Sequence, residues 1–413
     1  MRFRNTFSAL SFLLAFAFTE TQAGSVAQSP AVRHALENFD HWDADRDEKL
    51  SVAELDAAIA SPATKGENAA AAVALLRIAR SKQNPVSSFT RESVSSLAPA
   101  LRFIDARDEE EAPETAHDSR GNLDRYYDSA LRKIVSSPRE LFVGPPSLDS
   151  FRQGRLGTCF SLAPLTALTL AAPDDLVSRF TVAPDGASVT VTFGLGHAIT
   201  VPALTDGEVA LGTDTGGNGL WAATYEKAGG ELRRTAKNAA DTPYAIATRG
   251  GSAGSMLSTL TGRAIRRFSC KAWLPGSDTP ADELAKKLDE LRALLRAATE
   301  EKRLMTAGTS SKTRKVPSLS RNHAYAVLAY DPATDLVTIR DPHGQDFTPR
   351  GEPGLDNGYV VRRGVFQIPA PDVVRVMSGF AFQLDTPAKT KGYPSSDPTL
   401  PTDPAEPVAD PAS

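Results

Sequence analysis

The strongest constraint on this chain is the long separation between a cysteine set up as a nucleophile and the base that such a nucleophile needs. Cys159 follows a flexible loop, Gly154 to Gly157, and opens the apolar run CFSLAPLTALTL, which can go helical. A thiol at a helix N-terminus feels the partial positive charge of unpaired backbone N–H groups, which lowers its pKa and favours the thiolate. His323 stands at the head of an alternating, β-prone run, HAYAVLAYD, and the next such run, LVTIRDPHG, carries Asp341 at its end. These groups lie far down the chain, so only the tertiary fold can bring them to Cys159. Cysteine, distant histidine and a polar orienting residue form the constellation of nucleophilic acyl transfer.

The ends of the chain read differently from its middle. Arg2 and Arg4 precede an apolar stretch from Leu10 to Phe18, and Thr21-Gln-Ala23 offers small residues to a signal peptidase. Residues 1–23 therefore read as a cleavable signal peptide, and the mature protein as secreted or periplasmic. No later run reaches the roughly 18 apolar residues of a membrane span, so no stable membrane insertion is expected after cleavage. Of the two cysteines, Cys159 and Cys270, a disulfide is conceivable in an exported protein, but the surroundings of Cys159 argue for a free thiol. Past Asp385, residues 386–413 are proline-dense and nearly free of large apolar side chains, the composition of a disordered tail. A formal net charge of −4 gives no reason to expect a nucleic-acid partner.

A second motif lies near the N-terminus, in DADRDEKLSVAE. With Asp43 as loop position one, Asp45 falls at three, Asp47 at five, Lys49 at seven, Ser51 at nine and Glu54 at twelve. This is the EF-hand pattern for Ca2+: carboxylates converge on a hard cation, Lys49 offers its carbonyl, Ser51 acts through water and Glu54 binds with both oxygens. Position six, normally glycine for a positive φ, is Glu48, which should strain the loop and weaken binding. Aligning Leu50-Ser51 with Phe89-Thr90 starts a degenerate partner loop at Lys82, whose Lys82, Val86 and Ser93 cannot ligate. Residues 24–105 thus form an α-helical EF-hand module, and the charged, proline-containing stretch 106–121 a linker.

The remaining patterns mix helix and strand, over a length that accommodates two or more packed units at 413 residues, 41% of them hydrophobic and 23% charged. Leu123 to Val135 is helical in pattern, and GLWAATYEKAGGEL places Leu220, Trp221, Tyr225 and Ala228 on one helix face. DTPADELAKKLDELRALLRAATEEK predicts a long helix capped by Thr279, with Leu284, Leu288, Leu291 and Leu295 along one side. Val189–Phe193, LMTAGTS, Tyr325–Tyr330, Leu336–Arg340, Val365–Ile368 and Phe380–Leu384 read as strands.

In order, QGRLGTCF, GLWAATYEKAGGEL with GGSAGSMLSTLTG, HAYAVLAYD and IRDPHG resemble the calpain family of papain-like cysteine peptidases. The resemblance covers residues 122–385 and implies an α+β, two-lobed core, with the cysteine in a helical lobe, the histidine in a β-rich lobe and a protein or peptide substrate between them. It implies Cys159 as nucleophile, His323 as general base and acid, Asp341 as orienting residue and Gln153 as oxyanion-hole amide, hence a calcium-dependent endopeptidase. The family's Asn-Pro-Trp-Gly reads Asp341-Pro-His343-Gly here. Asp can hold the imidazole as an acceptor, while loss of the tryptophan removes an apolar shield over that bond. Pro164 deletes one backbone donor from the cysteine helix. These departures also motivate an alternative, a catalytically inactive calcium-binding or interaction protein on the same scaffold, and the same trio of groups can pass an acyl group to an amine.

Overall fold

A computed structural model describes residues 29–81, 85–97, 119–148, 151–274 and 276–389. The expected signal peptide at 1–23, the start of the expected partner loop at Lys82, most of the expected linker and the residues beyond 389 lie outside the described residues. Among those described, no helix is long and apolar enough to cross a membrane.

The N-terminal part is helical: α1 (Pro30–Glu37), α2 (Phe39–Trp42), α3 (Val52–Ala60), α4 (Gly66–Ala79) and α5 (Arg91–Ser95). Between them β1 (Leu50–Ser51) pairs antiparallel with β2 (Ser88–Phe89), setting Leu50 opposite Phe89. Both of those side chains are buried. The alanine-rich α4 packs close to its neighbours because its side chains are small, and it lies against α6 (Ser119–Ser136). The resulting cluster does not stop at the module. It continues through Leu123, Tyr127 and Ile134 of α6 to Leu156 in the loop before Cys159 and to Leu211 and Tyr244.

The helical lobe follows. It comprises α7 (Cys159–Ala171), α8 (Pro173–Ser178), the antiparallel sheet β3 (Phe180–Val182), β4 (Ser188–Thr192) and β5 (Ala198–Pro202), then α9 (Asp206–Leu211), α10 (Trp221–Lys237), α11 (Pro243–Ala247) and α12 (Ala253–Thr261). The expected stripe on α10 is core: Trp221, Tyr225 and Ala228 are buried, with Leu220 just before the first turn.

The second lobe is an antiparallel sheet of six described strands in the order β10-β9-β8-β7-β11-β6. They are β6 (Arg263–Ser269), β7 (Met305–Gly308), β8 (Ala324–Asp331), β9 (Leu336–Arg340), β10 (Val365–Pro369) and β11 (Gly379–Pro387), with α13 (Ala281–Glu300) and α14 (Ala370–Val376) packed alongside. Each expected strand is present, all but the last within a residue or two, and β11 runs three residues past the expected end at Leu384. The cap of α13 differs from expectation. Pro280, extended at φ −59° and ψ 149°, takes the N-cap position without a side-chain bond, and Thr279 Oγ1 instead meets Ser277 Oγ at 2.8 Å.

The two lobes are stapled beside the cysteine loop. Arg340, buried at the end of β9, donates to the carbonyls of Leu148 and Phe151 at 2.7 and 2.8 Å. Gln153 N donates to Pro342 O at 2.7 Å.

Along α13 the burial is graded, complete at Leu291 and Leu295 and partial at Leu284. Leu295→Ala is therefore expected to lose about 2–5 kcal/mol of stability and Leu284→Ala under about 1 kcal/mol. Denaturant unfolding of the two variants measures the difference.

Candidate functional site

Cys159 is the first residue of α7, as the glycine loop ahead of it requires. At Gly154 an added Cβ would lie 2.1 Å from Gly212 O and 2.3 Å from Leu211 O, so only glycine lets the loop pass. Arg155 N donates to Leu211 O at 3.0 Å and holds it there. Thr158 precedes the nucleophile and is fully buried, its hydroxyl 2.5 Å from Glu226 Oε1 on α10. The other Glu226 oxygen accepts Thr213 N at 2.7 Å. Helix α7 runs unbroken through buried Pro164, so the missing N–H costs one bond to the Phe160 carbonyl and no change of direction large enough to end the helix.

His323 sits just ahead of β8, fixed by Thr309: its N–H meets Thr309 Oγ1 at 3.0 Å and its carbonyl accepts Thr309 N at 2.9 Å. Its Nε2 lies 2.8 Å from Asp341 Oδ1. With that nitrogen donating to a carboxylate, the other is left for the nucleophile, and Cys159 is near enough to act on the His323 pKa. Asp341 follows β9 directly, its N–H bonded to Gly364 O at 2.9 Å. The structure thus brings together three of the residues that the sequence singles out.

His343 stands where the family carries a tryptophan, and its position adds to the site. Its ring stacks on His323 with centroids 4.4 Å apart and planes 11° apart. Its Nδ1 and backbone N reach the same Asp341 oxygen at 3.0 and 2.8 Å. The expected loss of cover over the His323–Asp341 bond is therefore partly made good by an imidazole. The spacing Asp-Pro-His could have signalled the first part of this, since an aspartate carboxylate often accepts the backbone N–H two residues on.

Charge on the site follows from these contacts. Burial works against the Cys159 thiolate, but the His323 hydrogen bond and charge and the backbone N–H groups of Ala324 and Phe160 outweigh it and lower the pKa. Burial likewise disfavours the His323 imidazolium, yet Asp341 and Cys159 raise it to about 9. Asp341 is held well below the usual carboxylate range despite burial by the two histidines. Cys270 has no such neighbours, and burial alone pushes its thiol up to about 12. The two cysteines are free.

Gln153 lines the same cleft, a cavity of about 990 Å3 between the lobes that also contains Cys159, Gly251, His323 and His343. Its amide nitrogen donates to Leu156 O at 2.7 Å, leaving one of its two hydrogens for a ligand.

The N-terminal loop gathers part of its expected ligand set. Ligand atoms of Asp43, Asp45 and Glu54 lie within 4.8 Å of one another. Asp43 also accepts the N–H groups of Asp47 and Glu48 at 3.2 and 3.0 Å. Asp47 lies outside that trio and accepts Lys49 N at 2.9 Å. Ser51 Oγ donates to Glu54 Oε2 at 2.8 Å, closing a capping box at the start of α3. Glu48 has φ +63°, the left-handed turn that glycine normally supplies, at a cost of about 1–2 kcal/mol. Burial raises the Glu54 pKa, but hydrogen bonds from Ser51, Ala44 and Asp45 outweigh it and lower the value.

Comparison with known families decides what this cleft belongs to. The model of the calpain family cysteine protease matches residues 129–351, more than half of the chain, and spans Gln153, Cys159, His323 and Asp341. The chain belongs to the calpain family. It is a cysteine peptidase, and the matched span covers the helical lobe and the second lobe as far as residue 351, β6 to β9 included. No curated protein matches the chain in a sequence search.

The ion pair has a pH window. It forms as pH rises through the lowered Cys159 pKa and is lost as pH rises through about 9, where His323 gives up its proton. Iodoacetamide is expected to label Cys159 rapidly at neutral pH and to spare Cys270 in the native protein, and His323→Ala should move the labelling midpoint upward. Mass-resolved alkylation across pH reads both.

Proposed function

We propose that the protein is an endopeptidase that cleaves protein or peptide substrates through Cys159, His323 and Asp341, with Gln153 facing the oxyanion. The observation that carries this reading is one imidazole held at 2.8 Å by a buried carboxylate and lining the same open cleft as Cys159, whose pKa it lowers. The thiolate sulfur attacks the scissile carbonyl carbon, and the carbonyl electron pair moves to oxygen. The free Gln153 N–H and the backbone at the start of α7 stabilise that oxyanion. Collapse expels the amine, which takes the proton from His323, and leaves a thioester. Water then gives a proton to His323 and its oxygen to the acyl carbon, and the thiolate leaves as the carboxylic acid product forms.

Asp341 in place of asparagine supports activity instead of removing it, because a carboxylate stabilises the imidazolium that the mechanism uses. The silent-scaffold reading has less to recommend it: of its three departures, Asp341 and His343 make bonds within the site and Pro164 leaves the cysteine helix unbroken. Cys159→Ala is expected to abolish casein cleavage, a loss of at least about 10³-fold in turnover. Unchanged turnover would remove the assignment.

Calcium dependence belongs to the same proposal. Asp43, Asp45 and Glu54 would hold Ca2+, which neutralises their mutual repulsion; the left-handed Glu48 turn and the β1–β2 pairing fit an EF-hand with a degenerate partner. A path from that loop to the nucleophile exists in contacts: Ile59 O at the end of α3 accepts Thr205 Oγ1 at 2.6 Å, Thr205 caps α9, and α9 ends at Leu211, whose carbonyl holds Arg155 N. Export by the N-terminal signal would place the enzyme in the millimolar-calcium range where weak sites fill. Casein cleavage is expected to fall severalfold in chelator and in Glu54→Gln, and equal rates with and without calcium would refute the coupling.

A further inference from the structure

A second cavity, about 600 Å3, opens beside the cleft and shares Gln153, Arg155 and His343 with it. Its walls carry Arg77 from α4, Lys133 from α6, and Arg152 and Arg155 from the cysteine loop, against Asp214 and Asp346. The two carboxylates are already engaged by backbone: Asp214 Oδ1 accepts Gly216 N at 2.9 Å, and Asp346 accepts Arg363 N. Lys133 donates to Gly212 O, and its charge faces Asp214 and Glu226. Among the described residues no carboxylate forms a salt bridge with Arg77, Arg152 or Arg155, and the three guanidinium groups with Lys133 outnumber the two carboxylates around the cavity, which is left net positive. Arg77 lies 3.7 Å over the Tyr126 ring. Burial, and after it the nearby charge of Arg155, lowers its pKa to about 10. Arg152 is laid across Gly344, where an added Cβ would meet its Cγ at 2.8 Å.

The position of this cavity relative to the reaction follows from the proton transfer. The departing amine takes its proton from His323, so the substrate segment leaving with it lies on the imidazole side of the cleft. His343, stacked on His323, forms the boundary between the cleft and the basic cavity. Forked guanidinium groups recognise planar carboxylates with two parallel hydrogen bonds. Resting on the peptidase reading above, we infer that the Arg77, Arg152 and Arg155 cavity is the subsite for an acidic residue of the substrate on the leaving-group side of the scissile bond. The enzyme therefore selects peptides with glutamate or aspartate just after the cleaved bond.

The test separates this inference from the reading beneath it. Full-length Cys159→Ala protein is titrated with a labelled peptide carrying glutamates on one side of its centre, and with its glutamine twin, by fluorescence anisotropy. The acidic peptide is expected to bind about tenfold tighter, with a preference that weakens as salt rises. Adding Arg77→Gln and Arg155→Gln should bring the ratio near one, while Arg155→Lys keeps most of it. Equal affinities in the first protein, or a ratio that survives both glutamines, would overturn the subsite. Turnover by the native enzyme then distinguishes the two claims: acidic peptides bound selectively but never cut would sink the endopeptidase and leave the subsite, whereas both peptides cut equally would do the reverse.

Discussion

One oxygen of Asp341 accepts from His323 Nε2, His343 Nδ1 and His343 N, and the chemistry of the cleft depends on that crowded acceptor. Three donors on a single lone-pair region keep the carboxylate ionised even where burial disfavours charge. A fixed anion behind the ring settles which nitrogen of His323 carries the proton toward Asp341 and which one faces sulfur. A neutral amide at this position would orient the ring equally well but would not stabilise its positive form. The carboxylate does both, and the imidazolium persists to about pH 9 as a result. His343 pays for its polarity here by supplying two of the three donors, and its flat ring still excludes water from one face of His323.

The opposite half of the site is held by packing more than by charge. Cys159 owes its place to close backbone passage at Gly154 and to the buried Thr158–Glu226 contact, which ties the first turn of α7 to α10. Glu226 is fully buried, and desolvation raises its pKa even though Thr158, Thr213 and Lys133 oppose the shift. An acceptor this enclosed is costly to leave unpaired, so the loop residues that satisfy it cannot wander. Arg340 performs the same service between lobes, with two carbonyls of the cysteine-loop approach on its guanidinium and Asp341 next to it in sequence. The catalytic distance across the cleft is thus set by hydrogen bonds to backbone, which leave little freedom for the lobes to slide.

Much of this was legible in the chain because the signals were local. Alternation marks β8 and β9, apolar spacing marks α10, and the glycine loop before Cys159 marks a turn that presents a thiol. What the sequence hid were pairings between distant residues. Nothing near Arg340 indicates that it will be buried and used as a staple, since arginine is ordinarily exposed. Thr279 looked like a cap because threonine before proline and an acidic turn often is one, but the helix begins after Pro280 and the hydroxyl turns to Ser277. The role of His343 was invisible for a different reason: comparing it with tryptophan emphasises the apolar surface that was lost, whereas the gain lies in its nitrogen atoms.

The N-terminal helices raise a structural question that the family match by itself does not address. The matched span begins at residue 129, inside α6, yet the hydrophobic cluster beneath the cysteine loop is completed from residues upstream of it. Leu156, Leu211 and Tyr244 share that cluster with Phe39, Leu55 and the buried face of α4. Removing the upstream helices would expose those side chains to water, along with the wall of the basic cavity that carries Arg77. The loop that positions Cys159 would lose its packing from below while keeping every residue conventionally counted as catalytic. The helical module is therefore part of the floor of the enzyme, and anything that tightens or loosens it acts on a surface that the nucleophile's own loop rests upon.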